Sequence, residues 1–245
     1  MSGLASDARI LWAMLRGLPQ GATHAQRLDA FYAPQADRYD SFREGLLHGR
    51  DELVAMLPVR RGGHIVELGG GTGRNAERFG PRLARLDSYT LVELSAPMLA
   101  KARERAARLP GLRVVEGDAA TWRPGKPADC AFFSYSLTMI PDWRAAIDNA
   151  IALVRPGGLV ASVDFYVSAA AAAPGMRQHG PLTRWFWPRW FGHDGVRLDP
   201  AHLDYLRSRL QAVALHERSG TVPWLPGLRV PHYLFVGRRR AHPLP

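Results

Sequence analysis

The sequence has a single cysteine, Cys130, in 245 residues. One thiol excludes an internal disulfide, and no Cys/His spacing has the form of a zinc site, so no metal is expected. Long apolar runs are missing as well. None approaches the ~20 residues that span a bilayer, and the five alanines at 169–173 fall far short of it. The N-terminus lacks the basic lead and cleavage site of a secretory signal, with Asp7 standing before its first apolar stretch. These absences predict a cytoplasmic protein in a reducing compartment. There is no internal repeat. Acid is in deficit: 22 Asp and Glu face 32 Lys and Arg, a formal charge of +10, and the excess is arginine. That balance favours anionic partners, whether nucleic acid, an anionic membrane face or an acidic substrate. Arginine codons of a GC-rich genome would produce the same balance with no partner at all.

What is present suits a folded α/β chain. The hydrophobic fraction of 47% is ample for a core. Residues 8–18 place Ile10, Leu11, Met14, Leu15 and Leu18 on one helical face, and a second helical stretch runs from about His24 to Leu57, broken near Gly45–Gly49. From residue 64 the pattern alternates. HIVEL, SYTLVEL, LRVVEGD, DCAFFSYS and LVASVDFYV read as strands. SAPMLAKARERAARL reads as a helix with Ser95 as N-cap and Pro97 in its first turn; DWRAAIDNAIALV reads as a helix ended by RPGG. Such alternation predicts a doubly wound, Rossmann-like and mainly parallel sheet. After an irregular stretch a helix is expected at 199–211. AVALHERSG and PHYLFVGRR then follow without a crossover helix, so they read as antiparallel closing strands. The chain divides into N-terminal helices (1–57), which would form a lid, and a sheet domain (58–245) with a substrate-binding insertion at about 167–198.

In such sheets a ligand lies beyond the carboxyl ends of the strands, at the switch point. The loop there is VELGGGTGRN, where Gly69, Gly71 and Gly73 allow tight turns and close approach of a ligand. Gly71, Gly73 and Ala76 also satisfy the weak dinucleotide pattern G-x-G-x-x-A. Against that reading, Glu67 ends the first strand, and a carboxylate there suits a cationic amino group better than a pyrophosphate. Glu93, ending the second strand, suits ribose hydroxyls in either case, and Asp118 is placed to meet an adenine amino group. A capping role for Glu67 and a turn-forming role for Asp118 are the alternatives.

The ordered set E-x-G-x-G-x-G, strand-end Glu, G-D-A and R-P-G-G resembles the class I S-adenosylmethionine (SAM) methyltransferases. The resemblance implies SAM as cofactor and extends the cofactor-binding set to Leu94, Met98, Ala119, Ser134 and Arg50. Other segments point further: FYAPQADRYDSFREGLLHGR (31–50), SYSLTMIPDW (134–143), VDFYVS (163–168), RWFWPRWF (184–191) and the run from Val222 to Gly237. Together they resemble the methyltransferases of betaine-lipid synthesis, over nearly the whole chain from residue 24. Those enzymes convert diacylglycerylhomoserine to its trimethylated form by three N-methylations. The resemblance implies a lipid substrate, peripheral attachment to a membrane surface and a separate enzyme that makes diacylglycerylhomoserine; no nucleic-acid partner is expected. Another amine, another aminolipid or a nucleic acid as acceptor, and a non-catalytic SAM- or nucleotide-binding module, are the competing readings.

Methyl transfer to an amine yields a cationic product, which an aromatic wall attracts by ~0.5–2 kcal/mol per good contact. Tyr135, Tyr39, Tyr32, Phe165 and Tyr166 are the candidates, with core packing as the alternative for each. Asp142 or Asp164 could accept the proton, although water suffices. Arg43 and Arg50 could hold carboxylates of SAM and of the head group, or stand solvated on the surface. Arg184, Trp185 and Trp187 of RWFWPRWF read as substrate-binding, lipid-facing residues, with a nucleic-acid platform and plain core as the alternatives.

Overall fold

A computed structural model describes residues 23–34, 40, 44–192, 195–223 and 227–240. The helix expected at 8–18, Tyr39 and Arg43 lie outside the described residues.

Seven strands form one sheet: β1 (Gly63–Leu68), β2 (Leu86–Glu93), β3 (Leu112–Glu116), β4 (Ala128–Ser134), β5 (Val154–Phe165), β6 (Gln211–Thr221) and β7 (Arg229–Arg238). Their order is β3-β2-β1-β4-β5-β7-β6. The first five pair in parallel. β7 runs antiparallel to both β5 and β6, as the lack of a crossover helix predicts. This is the doubly wound arrangement expected from the alternating sequence. β1 sits between β2 and β4, so the chain winds outwards in both directions from it. That reversal opens a crevice at the carboxyl end of β1.

Among the described residues the α-helices are α1 (His24–Tyr32), α2 (Arg50–Met56), α3 (Arg74–Arg78), α4 (Ala96–Ala106), α5 (Trp143–Leu153), α6 (Pro181–Gly192) and α7 (Ala201–Arg209). All six residues of β1 are buried, because helices cover both faces of a parallel sheet. Successive side chains alternate between the faces. Val66 and Leu68 join Ile147 of α5 and Leu206 of α7 in one core layer. Ile65 joins Leu53 of α2 and Ala102 of α4 in the other. A third cluster gathers Phe165, Val167, Leu46 and Leu47 beneath Trp187 and Phe191 of α6.

Three expectations change. Among the described residues the stretch from His24 to Leu57 is not continuous helix: one helix ends at Tyr32, and Gly49, at φ 78°, starts another. Helix α5 ends at Leu153 ahead of RPGG as expected, with Gly157 at φ 74°, but that segment already belongs to the start of β5. The irregular stretch expected within 167–198 contains helix α6. Pro188 lies inside that helix and argues against it locally, since proline removes one backbone donor. Burial of Trp187 and Phe191, roughly 1.5–3 kcal/mol for each large side chain, outweighs the local preference.

Candidate active site

A cavity of about 310 Å³ opens at the carboxyl ends of β1, β2 and β4. The loop after β1 forms one wall. Gly71 sits at φ 56°, and a Cβ built there would meet nothing within 4 Å, so the space beside it is open to a ligand. Gly69 also lines the cavity, but its own constraint is internal: a Cβ would lie 2.7 Å from Ser136 Cβ. Gly73 does not line the cavity. It caps α3, and a Cβ there would press on Leu91 at 3.1 Å. Its expected cofactor contact is therefore corrected to a packing role.

Glu93 ends β2 with its carboxylate at the cavity wall. Oε2 accepts the Gly71 N–H at 2.8 Å, and Oε1 accepts those of Leu94 and Ser95 at 2.9 Å. Burial raises its pKa, and the three backbone donors work against that rise. A carboxylate has about four lone-pair positions, so room remains for a ribose hydroxyl. Ser95 stands at the N-cap of α4 as read from the sequence, but its hydroxyl makes no capping bond; Asp29 of α1 takes the Ala96 N–H instead, at 2.8 Å.

Glu67 is placed differently from expectation. It is 1% exposed and stands behind the loop, outside the cavity lining. Its carboxylate accepts Asn75 Nδ2 at 2.6 Å and the Tyr89 hydroxyl at 2.5 Å. Burial pushes its pKa up to about 7, against these two hydrogen bonds. Asn75 lies between Glu67 and the cavity, and its Oδ1 is buried without a partner. A cationic group in the cavity would thus meet Asn75, oriented by Glu67. Sequence reasoning missed Asn75, although it closes the quoted loop motif.

The far end of the cavity suits a flat apolar group. Leu94 and Met98 line it opposite Gly117, Asp118 and Ala119. Asp118 Oδ1 accepts the Ala120 N–H at 2.8 Å, so this carboxylate shapes its own turn as well as facing the cavity. His24 and Leu28, one helical turn apart on α1, cover the same region and were not foreseen. Burial lowers the His24 pKa, as does Arg27, while Asp118 opposes them. Asp40, also unforeseen, ties down the loop by pairing with Arg105 at 2.7 Å and accepting the Thr72 hydroxyl at 2.6 Å.

Across the cavity, Ser134 ends β4, and Tyr135 and Ser136 follow it. The Ser134 hydroxyl is buried without a partner. Tyr135 has φ 55°, the one positive value at a non-glycine among the described residues. That conformation costs roughly 1–3 kcal/mol and persists only where surroundings hold it. Here its hydroxyl donates to His48 O at 2.7 Å and its ring packs on Phe165, centroids 4.5 Å apart. Tyr32 of α1 and Asp142 also line the cavity; Asp142 caps α5 through the Ala145 N–H at 3.1 Å. Arg50 reaches the wall with its guanidinium bound to Leu47 O and Glu44. Beside the open side of half-buried Gly71, the lining residues Asn75 and Ser134 each hold a polar atom with no protein partner, and this mix fits a nucleoside bearing an amino acid.

Other expected site residues are not brought here. Tyr166 follows Phe165, the last residue of β5, and packs into a different core cluster. It is buried, donates to Glu217 and packs edge-on against Tyr233. Asp164 is fully buried, accepts the Thr138 hydroxyl at 2.9 Å and the Phe165 N–H at 2.8 Å, and shapes the Leu137–Met139 turn. Arg184, Trp185 and Trp187 do not line the cavity; Trp187 is core, stacked towards Phe191.

Residues 65–158 match a family described as a methyltransferase domain. A trans-aconitate 2-methyltransferase of Paracidovorax citrulli is 33% identical over 127 residues, 50% of this chain and 46% of that protein. A malonyl-(acyl-carrier protein) O-methyltransferase of Salmonella typhimurium is 27% identical over 157 residues, 62% of this chain and 58% of that one. The chain spans about half the length of the curated relatives it matches. Among solved structures, the N-methyltransferase NodS of Bradyrhizobium japonicum, in complex with S-adenosyl-L-homocysteine, superposes with a TM-score of 0.62 at 17% identity, covering 88% of this chain and 97% of that one. An O-methyltransferase family protein of Burkholderia thailandensis gives 0.64 at 19% identity, over 98% of this chain and 70% of that one. At these identities the solved structures establish the fold.

Proposed function

We propose that this protein is a SAM-dependent methyltransferase, and that its acceptor is the amine of diacylglycerylhomoserine, methylated three times to the betaine lipid. The observation that carries the reading is the cavity at the switch point, where the open side of Gly71, the Glu93 carboxylate and Asp118 converge. SAM bound there would supply a methyl group activated on a sulfonium. Glu93 holds the ribose, Asp118 the adenine amino group, and Leu94, Met98 and Ala119 the ring. Asn75 Oδ1, steered by Glu67, accepts from the methionyl amino group. Helix α1 acts as the lid, with His24, Leu28 and Tyr32 on its inner side.

The protein's task in such a displacement is alignment and the exclusion of water. Tyr135, held by His48 O and Phe165, presents a ring to an amine that gains charge. Asp142 at the wall favours the same charge and can take the proton released by the amine. A separate enzyme supplies the lipid, and the work is done at the face of an anionic membrane. A second reading rests on Arg50 and Arg74 at the cavity wall and on the carboxylic acids in the relatives' names: the acceptor is a carboxylate, methylated on oxygen.

Incubation with labelled SAM and either diacylglycerylhomoserine or trans-aconitate separates the two. Lipid gaining one, two and three methyl groups that resist mild alkali is the expected result. Label in an alkali-labile methyl ester would replace the amine by the carboxylate. Calorimetry showing no SAM binding would refute both.

A further inference from the structure

Helix α6 is apolar on both sides. At about 100° per residue, Trp187 and Phe191 fall on one side, buried against Phe165 and Val167. Leu182, Trp185 and Arg189 fall on the other, with Trp190 at its edge; Phe186 lies between the two sides, half-buried and packed against the inner cluster. Leu182 is 73% exposed, Trp185 53% and Trp190 42%. The described residues include five exposed large hydrophobics, and three of them share this one face, so the patch is local and not a general feature of the surface. The rings are organised: Phe186 and Trp190 stack with centroids 5.6 Å apart, and the Arg189 guanidinium lies 4.8 Å over the Trp185 ring.

The segment that carries this face is basic. From Phe165 to His193 the sequence has no acidic residue and carries Arg177, Arg184 and Arg189. Tryptophan beside arginine on a helix too short to span a bilayer is the composition of a segment that lies in the headgroup layer. The face is also joined to the cavity. Leu47, Tyr135 and Met139 line the cavity and pack into the cluster beneath α6.

We propose that the outward face of α6 is a docking surface for an anionic lipid–water interface. The helix lies along the membrane, with Trp185 and Trp190 among the upper acyl carbons and Arg189 among phosphates. Docking would bring the Tyr135 end of the cavity to the membrane. The inference stands on this face alone and holds for any acceptor in the cavity.

The test uses the full chain and vesicles of phosphatidylcholine, with and without phosphatidylglycerol. Wild type should sediment with the anionic vesicles, and brominated acyl chains should quench part of its tryptophan fluorescence. Trp185→Ser with Trp190→Ser should weaken vesicle binding at least about tenfold at every salt concentration, since apolar transfer is not screened. Arg189→Glu should weaken it at low salt, with the gap closing at high salt. Val213→Ser, an exposed apolar residue on β6, should bind as wild type does. Both tryptophans are exposed, so the melting temperature should stay within a degree or two, roughly. Quenching that persists unchanged in Trp185→Phe/Trp190→Phe would show that another segment docks, and would overturn the proposal. Vesicle binding unaffected by the serine pair would do the same. So would a concentration-dependent dimer, formed without lipid and abolished by that pair, because the face would then belong to a second copy.

Discussion

Replacing Glu67 by glutamine should flatten the protein's stability against pH. Glu67 is buried, with a pKa raised from 4.5 to about 7. The folded state therefore binds its proton more tightly than the unfolded state does. Its contribution is fully present below 4.5 and is lost as pH rises through 7. A difference of about 2.5 units corresponds to about 3 kcal/mol between the acid and alkaline limits. Glutamine cannot ionise, so Glu67→Gln should escape this loss. Its carbonyl still accepts from Asn75, and its amide faces the Tyr89 oxygen. A rearranged hydrogen bond at Tyr89 costs about 1 kcal/mol at every pH. Asp164, also raised to about 7 by burial, contributes the same slope to both proteins and cancels in the comparison. For a domain of this size 1 kcal/mol moves the melting temperature by roughly 2–4 °C. Thermal unfolding should thus show the variant about 2–4 °C below wild type at pH 4.5 and several degrees above it at pH 8. Parallel melting curves across that range would refute the argument, because they would mean that Glu67 ionises as easily folded as unfolded.

Glu93→Ala and Gly71→Val should each weaken SAM binding by at least about tenfold by calorimetry: the first removes a charged acceptor, and the second puts a β-branched side chain at positive φ into the cavity. Unchanged affinity in both would refute the cofactor site. Tyr135→Phe loses the bond to His48 O and keeps the ring, so SAM affinity should hold while products shift towards mono- and dimethyl lipid; an unaltered product ratio would remove Tyr135 from the acceptor site. Trp187→Ala should cost about 3–5 kcal/mol by denaturant unfolding, as a truncated core aromatic does, and a cost under about 1 kcal/mol would contradict its place on the buried face of α6. Asp129, which burial would raise but the hydrogen bonds of Arg60 and Arg155 hold at about 2, keeps its contribution above pH 3.8 and loses it as pH falls through 2. Asp129→Asn should accordingly resist further destabilisation between pH 4 and 2, where wild type weakens.

What the sequence determined by itself is whatever its local periods encode. Continuous apolar runs such as HIVEL can be buried only in a sheet covered on both faces, and alternation with amphipathic helices leaves a doubly wound order as the economical solution. The strand-end positions of Glu93 and Asp118 and the open side of Gly71 followed from that order, since parallel strands bring their carboxyl ends to one edge. Side-chain direction was a different matter. Glu67 and Glu93 both end a strand, yet only Glu93 reaches the cavity, because Glu67 is captured by Asn75 and Tyr89 from elements eight and twenty-two residues away. Phe165 and Tyr166 are neighbours in sequence and pack into different core clusters, so no composition argument could assign both to one site. His24, Leu28 and Asp40 joined the cavity through packing of the N-terminal segment, a contact distant in sequence with no motif to announce it. In RWFWPRWF the residue types left core and surface readings open, and only the winding of α6 over Phe165 decided which tryptophan is core and which faces out. That winding defies Pro188 because two buried aromatics outweigh one missing hydrogen bond, a comparison that exists only once distant parts of the chain are in contact.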